Sequence, residues 1–362
     1  MSGTSMDAID AALVQFNNGQ TVLVEYRQYP IARKIRKRLQ SVTATTPMEE
    51  ITKLDVHLGR LFADAVTRLL HTTGISQEMV VAIGCHGQTV LHKPNAPEPY
   101  SLQIGDPNLI ACKTGITTVA DFRRADIAAG GQGAPLAPAF HKVQFHHPEK
   151  DRVVLNIGGI ANITILPADA DIPVSGFDTG PGNVLMDEWI SHHRNLPMDK
   201  DGNWAASGKV QHSLLTVLMN DAYFQTSPPK STGRDYFNLV WLDSCLTQIK
   251  SRMNPEDIQA TLLTLTARTI VDAILEYAPG VNEILVCGGG VHNKALISEI
   301  NKNLPGYIIE STEIEGLNPD CIEAITFAWL AKCRIDGKPG NLPAVTGAKK
   351  KVVLGAVYKP GN

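Results

Sequence analysis

An α/β fold class is predicted for this chain of 362 residues. Short β runs alternate with helical patterns along the whole length, and no short-period repeat interrupts them. The β runs are almost continuously apolar and lie next to glycines, which suits strands buried on both faces. They are VVAIGC (80–85), RVVLNI (152–157), NITIL (162–166) and EILVCG (283–288). Because the length exceeds the usual size of one core, two domains are expected.

The first clear helical pattern covers TPMEEITKLDVHLGRLFADAVTRLLHTTG, residues 46–74. Thr46 and Glu49 have the spacing of a capping box, with Pro47 at the first helical position. Apolar residues at helical spacing then form one face: Leu54, Leu58, Leu61, Phe62, Ala65 and Leu69. Gly74 is expected to end the helix.

The second helical pattern covers NPEDIQATLLTLTARTIVDAILEYAPG, residues 254–280. Asn254 is the expected N-cap and Pro255 the first helical residue. The apolar face is Ile258, Leu262, Leu265, Thr269, Ala273 and Ile274. Both helices are expected to cover sheets.

Composition and charge are those of an ordinary soluble globular protein, with 43% apolar and 19% charged residues. A net charge of −3 and a pI near 6.4 leave no broad basic surface for nucleic acid or anionic lipid. The start does not resemble a secretory signal, and no uninterrupted apolar run reaches the length of a membrane helix. We therefore expect a cytoplasmic protein with a small-molecule partner and without nucleic-acid or membrane partners.

The cysteines and paired histidines do not predict a metal site. The six cysteines are scattered without CxxC spacing, which argues against a zinc cluster or a redox pair. Adjacent side chains point in different directions, so the pairs His146–His147 and His192–His193 are interpreted as surface residues. The metal ligands stay unassigned.

The polar stretch AFHKVQFHHPEKDR, just before RVVLNI, is interpreted as the domain boundary. The first domain is expected over residues 1–145 and the second over residues 146–362. The C-terminal segment could instead belong to the first domain.

Three glycine-containing turns beside strands are candidate phosphate loops. They are the opening MSGTSMDAID, the strand–Gly-Gly–strand segment VVLNIGGIANITIL, and ILVCGGGVHNKALISEI, which runs from a strand through three glycines toward a helix. Glycine lets successive backbone N–H groups approach a phosphate, and a helix N-terminus favours negative charge. A single turn of this kind is more often a plain hairpin, so the interpretation depends on the three together.

Motifs of other nucleotide-binding folds are missing from the sequence. There is no GxxxxGK[ST] and no GxGxxG that opens a helix after the first strand. GGQG at 130–133 comes closest, but Pro135 and Pro138 make it a loop.

Asp178 stands in SGFDTGPGNVLMDEWISHH, in a glycine-rich turn before a helix that is expected to begin near Asn183. A carboxylate held there could act as the general base of phosphoryl transfer. It could instead form an Asx-turn or cap, and one aspartate alone favours that structural interpretation.

Several other polar residues follow strands or begin helices. Arg123 and Arg124 lie between a strand and a glycine loop, where a guanidinium could bind a carboxylate or a phosphate or form an exposed ion pair. His86 follows a strand in CHGQTV and is interpreted as structural from spacing alone, while Gln88 could bind hydroxyl groups. Glu323 begins an amphipathic helix, where the helix dipole already favours a glutamate.

Nine specific segments follow one another along the chain: MSGTSMDAID, CHGQTV, QIGDP, VADFRRADIAAGGQGAPLAPAFH, LNIGGIANIT, GFDTGPGNVLMDEW, GRDYF, CGGGVHN and VVLGAVY. This pattern closely resembles the bacterial anhydro-N-acetylmuramic acid kinases over essentially the whole chain. The resemblance implies two actin-like (ribonuclease H-like) domains flanking a nucleotide-binding cleft, as in sugar kinases and Hsp70-type ATPases. It also implies a homodimer that uses ATP and Mg²⁺ to convert 1,6-anhydro-N-acetylmuramic acid into N-acetylmuramic acid 6-phosphate in peptidoglycan recycling.

The same resemblance implies roles for individual residues. The first phosphate loop would comprise Gly3, Thr4, Ser5, Met6, Asp7, Ala8, Ile9 and Asp10, the second Gly158 and Gly159, and the adenosine-side turn Gly288, Gly289 and Gly290. Asp178 would take a proton from the water that attacks C1. Arg123 and Glu323 would hold the sugar, with His86 and Gln88 as further candidates, and Asp7 or Asp10 would hold waters of Mg²⁺.

The sequence departs from the family pattern in two places. The family has a short strand before Met-Ser-Gly-Thr-Ser, whereas nothing precedes Met1 here, and loss of that strand would expose ladder groups of the first sheet. Ala8 replaces a common glycine, a mild change if its φ is negative. Two other functions stay open: an ordinary N-acetyl sugar kinase acting on a free hydroxyl, and a non-enzymatic actin-like ATPase with protein partners.

Overall fold

A computed structural model describes residues 1–3, 6–17 and 19–361. It has mixed helices and strands throughout, which confirms the predicted α/β class. The chain divides into two compact units: the first is Met1–Gln144 with Cys321–Asn362, and the second is Phe145–Asp320. The division lies one residue from the expected boundary, and the C-terminal segment groups with the first unit, the alternative that the sequence left open.

The strands are β1 (Ala8–Asn17), β2 (Gln20–Pro30), β3 (Ile83–Gly84), β4 (Gln88–Lys93), β5 (Tyr100–Ile104), β6 (Thr118–Ala120), β7 (Arg152–Ile157), β8 (Ile160–Leu166), β9 (Ser175–Pro181), β10 (Glu283–Cys287), β11 (Ile308–Ser311) and β12 (Ala356–Tyr358). The helices are α1 (Arg33–Gln40), α2 (Met48–Thr73), α3 (Pro107–Thr114), α4 (Arg123–Ala128), α5 (Ala137–Phe145), α6 (Val184–Arg194), α7 (Asn203–Ser207), α8 (His212–Met219), α9 (Leu239–Leu246), α10 (Pro255–Tyr277), α11 (Lys294–Asn303), α12 (Ile322–Ile335) and α13 (Pro343–Thr346).

The described residues of the first unit form three small sheets: the antiparallel hairpin β1–β2, the sheet β12–β6–β3 and the antiparallel pair β4–β5. Ile9 of β1 shares a core with Leu54, Leu58 and Phe62 of α2, which are buried as the helical spacing predicts. Helix α12 contacts both β1 and β3.

The second unit is built on one five-stranded sheet in the order β11–β10–β7–β8–β9. Strands β11, β10 and β7 are parallel, and β8 is antiparallel to both β7 and β9. Strands β7, β9 and β10 consequently point the same way, and their carboxyl ends meet at one edge of the sheet. In open α/β sheets this is the edge where ligands bind.

The predicted capping box of α2 is wrong. The helix begins at Met48 with Pro47 at the N-cap and no side-chain cap. The Thr46 hydroxyl instead accepts a hydrogen bond from the amide of Thr43, so a local turn takes the capping group. The predicted end is confirmed, because Gly74 adopts the left-handed conformation.

Helix α10 begins at Pro255 as predicted, although the Asn254 side chain makes no cap hydrogen bond. Among the described residues it is the one helix long and apolar enough to cross a membrane, and 78% of its most apolar window is buried in the protein. A core helix of a soluble protein meets the same criterion. The helix supplies much of the core of the second unit, including Leu262, Leu265 and Ile270.

The predicted β runs differ in accuracy. RVVLNI is β7 itself, NITIL belongs to the longer β8, and EILVC forms β10. VVAIGC is a strand only at Ile83–Gly84, because β6, its parallel neighbour, pairs with those two residues alone. A buried apolar run therefore marks a strand here only where a neighbour of matching length exists.

Candidate active site

The opening turn is shorter than the predicted phosphate loop. Thr4 and Ser5 lie outside the described residues. The Met6 amide donates to the Gly3 carbonyl (3.2 Å), and Met6 has a φ of 54°. Asp7 is exposed at the end of the turn.

The last three residues assigned to that loop, Ala8, Ile9 and Asp10, belong to β1 instead, because they pair with β2. In this extended backbone Ala8 needs no positive φ, so its replacement of a glycine is mild. Asp10 is fixed on the sheet: its Oδ1 accepts from the Tyr26 hydroxyl (2.6 Å) and from Gln28 Nε2 (3.0 Å).

His86 and Arg123 form one hydrogen-bonded pair in the first unit. His86 Nε2 accepts from Arg123 Nη2 (2.9 Å), and His86 Nδ1 lies 3.0 Å from the Gly87 carbonyl. Burial, followed by the positive charges of Arg123 and the N-terminus, holds the pKa of His86 well below its usual range. The imidazole is therefore neutral with its proton on Nδ1. The sequence gives no indication of this hydrogen bond, because the two residues are 37 positions apart in the chain.

Glu323 is positioned by the contact between α12 and β3. A side chain on Gly84 would clash with the Phe327 carbonyl at 2.0 Å, so glycine permits the helix to lie directly on the strand. The Phe327 ring packs against His86 at 4.5 Å between centroids. Glu323 precedes Phe327 by one helical turn and therefore shares its face. Its Oε2 lies 4.0 Å from the ideal Cβ position of Gly3, at the opening turn.

The charge of Glu323 is unfavourable where it stands. Burial raises its pKa, the negative charge of Asp10 raises it further, and Arg123 opposes both. Its side chain is nevertheless exposed, so solvent screening reduces the size of these effects. A carboxylate placed against its own electrostatic preference is a feature of ligand sites.

Gln88 and Arg124 differ sharply in their environments. Gln88 is buried on β4; its Nε2 donates to the Thr89 carbonyl (3.2 Å), whereas its Oε1 has no hydrogen-bond partner among the described residues. A buried acceptor of this kind is suited to a ligand hydroxyl. Arg124 is exposed and pairs with Asp121 (Nε to Oδ2, 2.7 Å), which is a structural role.

The Gly158–Gly159 turn joins β7 to β8 as predicted, and α6 begins against it. The amides of Gly182 and Val184 donate to the Gly159 carbonyl (2.9 and 3.1 Å), and the Asn183 amide donates to the Gly158 carbonyl (2.9 Å). The turn thus accepts the first N–H groups of the helix and is held rigid by them.

The Gly288–Gly290 turn lies beside that hairpin, because Cys287 of β10 pairs with Asn156 of β7. Gly288 has a φ of 81°, and a Cβ on Gly290 would lie 2.2 Å from Ile157 Cγ2. Around Gly289, in contrast, no heavy atom of the described residues outside the turn itself lies within 4 Å of a Cβ position. A short 3₁₀ turn follows, so α11 begins only at Lys294, later than the glycines indicated.

Asp178 lies on strand β9, not in the predicted turn, and it makes no Asx-turn among the described hydrogen bonds. Its amide donates to the Lys230 carbonyl (3.2 Å), and its Oδ2 accepts from the Thr232 amide (2.9 Å). Pairing with β8 fixes its backbone at the register of Asn162. The carboxylate is half-buried and stands near the sheet edge that carries both glycine turns.

Two residues around Asp178 were not found from the sequence. The Tyr223 hydroxyl donates to the Asp178 carbonyl (2.6 Å), and burial, with the Asp178 charge, raises the pKa of this phenol. Thr232 has a buried hydroxyl without a hydrogen-bond partner among the described residues. The polar run STGRD, next to the quoted GRDYF, was the signal available for Thr232. Tyr223 had no comparable signal, because it meets Asp178 only through the fold.

The described residues contain no group of three His, Cys, Asp or Glu side chains that could hold a metal ion. His192 and His193 are exposed, as the sequence predicted.

Comparison with known proteins places these features in a family. A family model described as anhydro-N-acetylmuramic acid kinase matches residues 1–360. The anhydro-N-acetylmuramic acid kinase of Coxiella burnetii (strain Dugway 5J108-111) is 49% identical over 360 residues, covering 99% of this chain and 96% of the relative. That of Vibrio cholerae serotype O1 is 48% identical over 363 residues, covering 99% and 97%.

Among solved structures, the chain is similar to the activator of the 2-hydroxyisocaproyl-CoA dehydratase from Clostridium difficile with bound ADPNP. The identity is 12% and the TM-score 0.43, with 91% of this chain and 98% of the other covered. A likeness of this size supports no argument about function. The matches to the family model and to the relatives extend over almost the full length, and by them the chain belongs to the anhydro-N-acetylmuramic acid kinase family.

Proposed function

We propose that this protein is an ATP-dependent kinase that converts 1,6-anhydro-N-acetylmuramic acid, ATP and water into N-acetylmuramic acid 6-phosphate and ADP. The full-length family match is the main support. The observation in the structure that favours it is Asp178, a half-buried carboxylate held by the Thr232 amide near two glycine turns.

The substrate determines what the base must do. In the anhydro sugar O6 is bonded to C1, so an ordinary kinase base finds no 6-hydroxyl proton to remove. Water attacks C1 instead, and Asp178 accepts a proton from it as the new O–C1 bond forms and the C1–O6 bond breaks. O6 then forms a bond to the γ-phosphorus while the bond to the bridging oxygen breaks and ADP leaves.

The fixed position of Asp178 suits this role. Strand pairing holds its backbone, and the Thr232 amide holds Oδ2, so the carboxylate keeps one orientation. A base that is already oriented loses little entropy when the water binds. The buried Thr232 hydroxyl is a donor or acceptor for that water or for the sugar.

The sugar-binding residues belong to the first unit in this proposal. The guanidinium of Arg123 recognises the carboxylate of the sugar, and its bond to neutral His86 orients it. Glu323 accepts hydrogen bonds from sugar hydroxyls or the amide, and the free acceptor Oε1 of Gln88 does the same.

The nucleotide is held at the opening turn, Gly158–Gly159 and Gly288–Gly290 by backbone N–H groups. The Gly158 amide already donates to the Ile160 carbonyl (3.2 Å) and the Gly288 amide to the Pro319 carbonyl (2.9 Å), so other N–H groups of these turns take that role. This is the actin-like arrangement that the family resemblance implies. Mg²⁺ would fit the donors present, because Asp7 at the end of the opening turn and Asp10 on β1 offer carboxylate oxygens and Mg²⁺ prefers oxygen ligands. When bound with ATP it neutralises charge on the phosphates.

The cellular process, the location and the oligomeric state are part of the same proposal. A kinase for an anhydro sugar of the cell wall acts in peptidoglycan recycling and is placed in the cytoplasm, where ATP is available. We also propose a homodimer. Size-exclusion chromatography with light scattering tests the dimer directly.

ADP release with Mg-ATP is the decisive assay, with 1,6-anhydro-N-acetylmuramic acid, N-acetylmuramic acid and N-acetylglucosamine as separate substrates. Release with the anhydro sugar alone is expected. Activity only on the free sugars would identify an ordinary N-acetyl sugar kinase. If none of the three sugars gave ADP release, the proposed kinase activity would be refuted and a non-enzymatic actin-like ATPase would be favoured.

Asp178→Asn tests the base. Turnover should fall by about 10²–10⁴-fold, the usual contribution of a general base, while ATP binding stays nearly unchanged. Asp171→Asn, an exposed aspartate between β8 and β9, is the matched control and should keep wild-type turnover. Near wild-type turnover of Asp178→Asn would remove this residue from the role.

A further inference from the structure

The loop GGQG at 130–133, which matches no nucleotide motif, is folded tightly around Asp126 of α4. The Gly131 amide donates to the Asp126 carbonyl (2.9 Å), and the Gly133 amide donates to Asp126 Oδ2 (2.8 Å). A Cβ on Gly131 would lie 2.3 Å from that oxygen. The glycines therefore let the loop close on a carboxylate, not on a phosphate.

The Asp126 carboxylate is completely buried, with 0% of the residue exposed. Its Oδ1 accepts from Asn341 Nδ2 (2.7 Å) and from Thr346 Oγ1 (2.8 Å). Burying a carboxylate is costly unless donors satisfy it, and here three donors do so, one from the adjoining loop and two from the C-terminal segment. Such an arrangement fixes the positions of the groups that donate to it.

The C-terminal segment is tied to the same loop by backbone hydrogen bonds. The Gln132 amide donates to the Thr346 carbonyl (2.8 Å), and the Lys349 amide donates to the Ala129 carbonyl (2.9 Å). Asn341 is itself held, because its Oδ1 accepts from the Val352 amide (2.8 Å). Loop and segment thus form one rigid assembly around the carboxylate.

This assembly connects to the sugar-binding residues through Gly133. The amide of Gly133 is bound to Asp126, and its carbonyl accepts from Arg123 Nη1 (2.8 Å). Arg123 in turn donates to His86 Nε2. The orientation of the guanidinium is therefore set from one side by the imidazole and from the other by a loop that Asp126 anchors.

We propose that Asp126 is a positioning residue for sugar recognition, which acts through Gly133 on the Arg123 guanidinium. The inference rests on the proposed function, since it takes Arg123 as a sugar ligand. An aspartate is required at this position because all three partners are used as donors. Asparagine has the same shape but would turn an N–H₂ group toward one of them and leave a buried donor without an acceptor.

Asp126→Asn is the test, measured as steady-state ADP release with the anhydro sugar and ATP varied separately. The KM for the sugar should rise about tenfold or more, the size expected when a buried donor loses its acceptor, while the KM for ATP stays within about twofold. Amide exchange of the peptide covering residues 130–133 should become faster. Thr346→Val, which removes one donor, is the milder second variant and should show the same pattern if Asp126→Asn does not fold.

The control is Ile110→Val, a substitution at a fully buried position of α3 that loosens the first unit elsewhere. It should lower the melting temperature without a selective change in the KM for the sugar. If wild type turns over the anhydro sugar and the Asp126 and Thr346 variants behave like this control, the positioning role is overturned. If wild type does not act on the anhydro sugar, the proposed function fails instead, and the two failures are distinguishable.

Discussion

Gly289→Ala separates nucleotide binding from protein stability at the Gly288–Gly290 turn. Outside the turn itself, no heavy atom of the described residues lies within 4 Å of the position that the new methyl group would take. The φ of Gly289 is not in the left-handed region, so alanine fits its backbone. A methyl group there meets only what binds at the turn.

The magnitude follows from two opposing effects. In the free protein, replacing glycine by alanine at a compatible position stabilises by about 0.4–1 kcal/mol, because the unfolded chain loses freedom. With nucleotide bound against the turn, the extra methyl acts as overpacking and costs about 1–3 kcal/mol. This corresponds to about 5- to 150-fold weaker ATP binding.

The assay combines calorimetric titration of ATP with thermal unfolding of the nucleotide-free protein. We expect weaker ATP binding with an unchanged or higher melting temperature. Gly290→Ala is the contrasting variant, because its methyl would lie 2.2 Å from Ile157 Cγ2 and should lower the melting temperature. ATP affinity of Gly289→Ala equal to that of wild type would refute the assignment of this turn to the nucleotide.

Three further predictions concern charge and unsatisfied groups. Burial and the charge of Asp10 raise the pKa of Glu323 in the folded protein. The ionised carboxylate therefore destabilises the fold at a pH above this raised pKa, and the effect disappears below the ordinary pKa of about 4.3, where the side chain is neutral in both states. Glu323→Gln should therefore be at least as stable as wild type at pH 8, lose that advantage toward pH 4, and bind the sugar more weakly; lower stability at pH 8 would contradict this. Thr232→Val removes a buried hydroxyl without a partner among the described residues, so the melting temperature should hold or rise while turnover falls about tenfold, the worth of one hydrogen bond to a reacting group. Unchanged turnover would exclude Thr232 from the site. Burial lowers the pKa of His141 to about 3, and burial also lowers that of His86, so the unfolded chain takes up protons near pH 6.5 that the folded protein does not. The free energy of unfolding should then fall from pH 7 to pH 5 by up to about 1.4 kcal/mol per pH unit for each histidine, measured by urea denaturation, and a flat profile would refute it.

The second unit shows what a sequence pattern can predict. RVVLNI and its Gly-Gly turn form β7 and the following hairpin. A short apolar run is typical of a strand that is buried on both faces, and two glycines permit a tight connection to the next strand. Every residue of the predicted apolar face of α10 is buried, because apolar residues at helical spacing lie on one side of a helix and that side packs against the core. In these two elements the local backbone and the burial pattern are therefore sufficient for a correct prediction.

Where two backbone or side-chain groups compete for the same hydrogen-bond partner, the sequence pattern gives the wrong structure. Thr46 could cap α2 or close a local turn, and the amide of Thr43 takes its hydroxyl. The surrounding glycines predict a turn at Asp178, yet pairing with Asn162 of β8 makes this segment a strand. In both cases the deciding group lies outside the local pattern, so residue type and spacing could not identify it.

The same reasoning explains why the polar groups of the site could be recognised only in part. Asp126 and Asp199 are buried carboxylates with three donors each, and satisfied groups of this kind stabilise the scaffold. Gln88 Oε1 and Thr232 Oγ1 are buried without a partner among the described residues, and each stands beside a residue of the candidate site. An unsatisfied atom is not sufficient by itself, because Trp204 Nε1, next to the Asp199 network, shares that state. The neighbouring residues distinguish a ligand-binding group from a packing defect. Thr232 also supplies the amide that donates to Asp178. The fold therefore keeps Thr232 beside the candidate base although its hydroxyl has no hydrogen-bond partner among the described residues. An unsatisfied hydroxyl of this kind destabilises the free protein by about 1–3 kcal/mol, and a hydrogen bond to a sugar hydroxyl or to the attacking water would offset that cost.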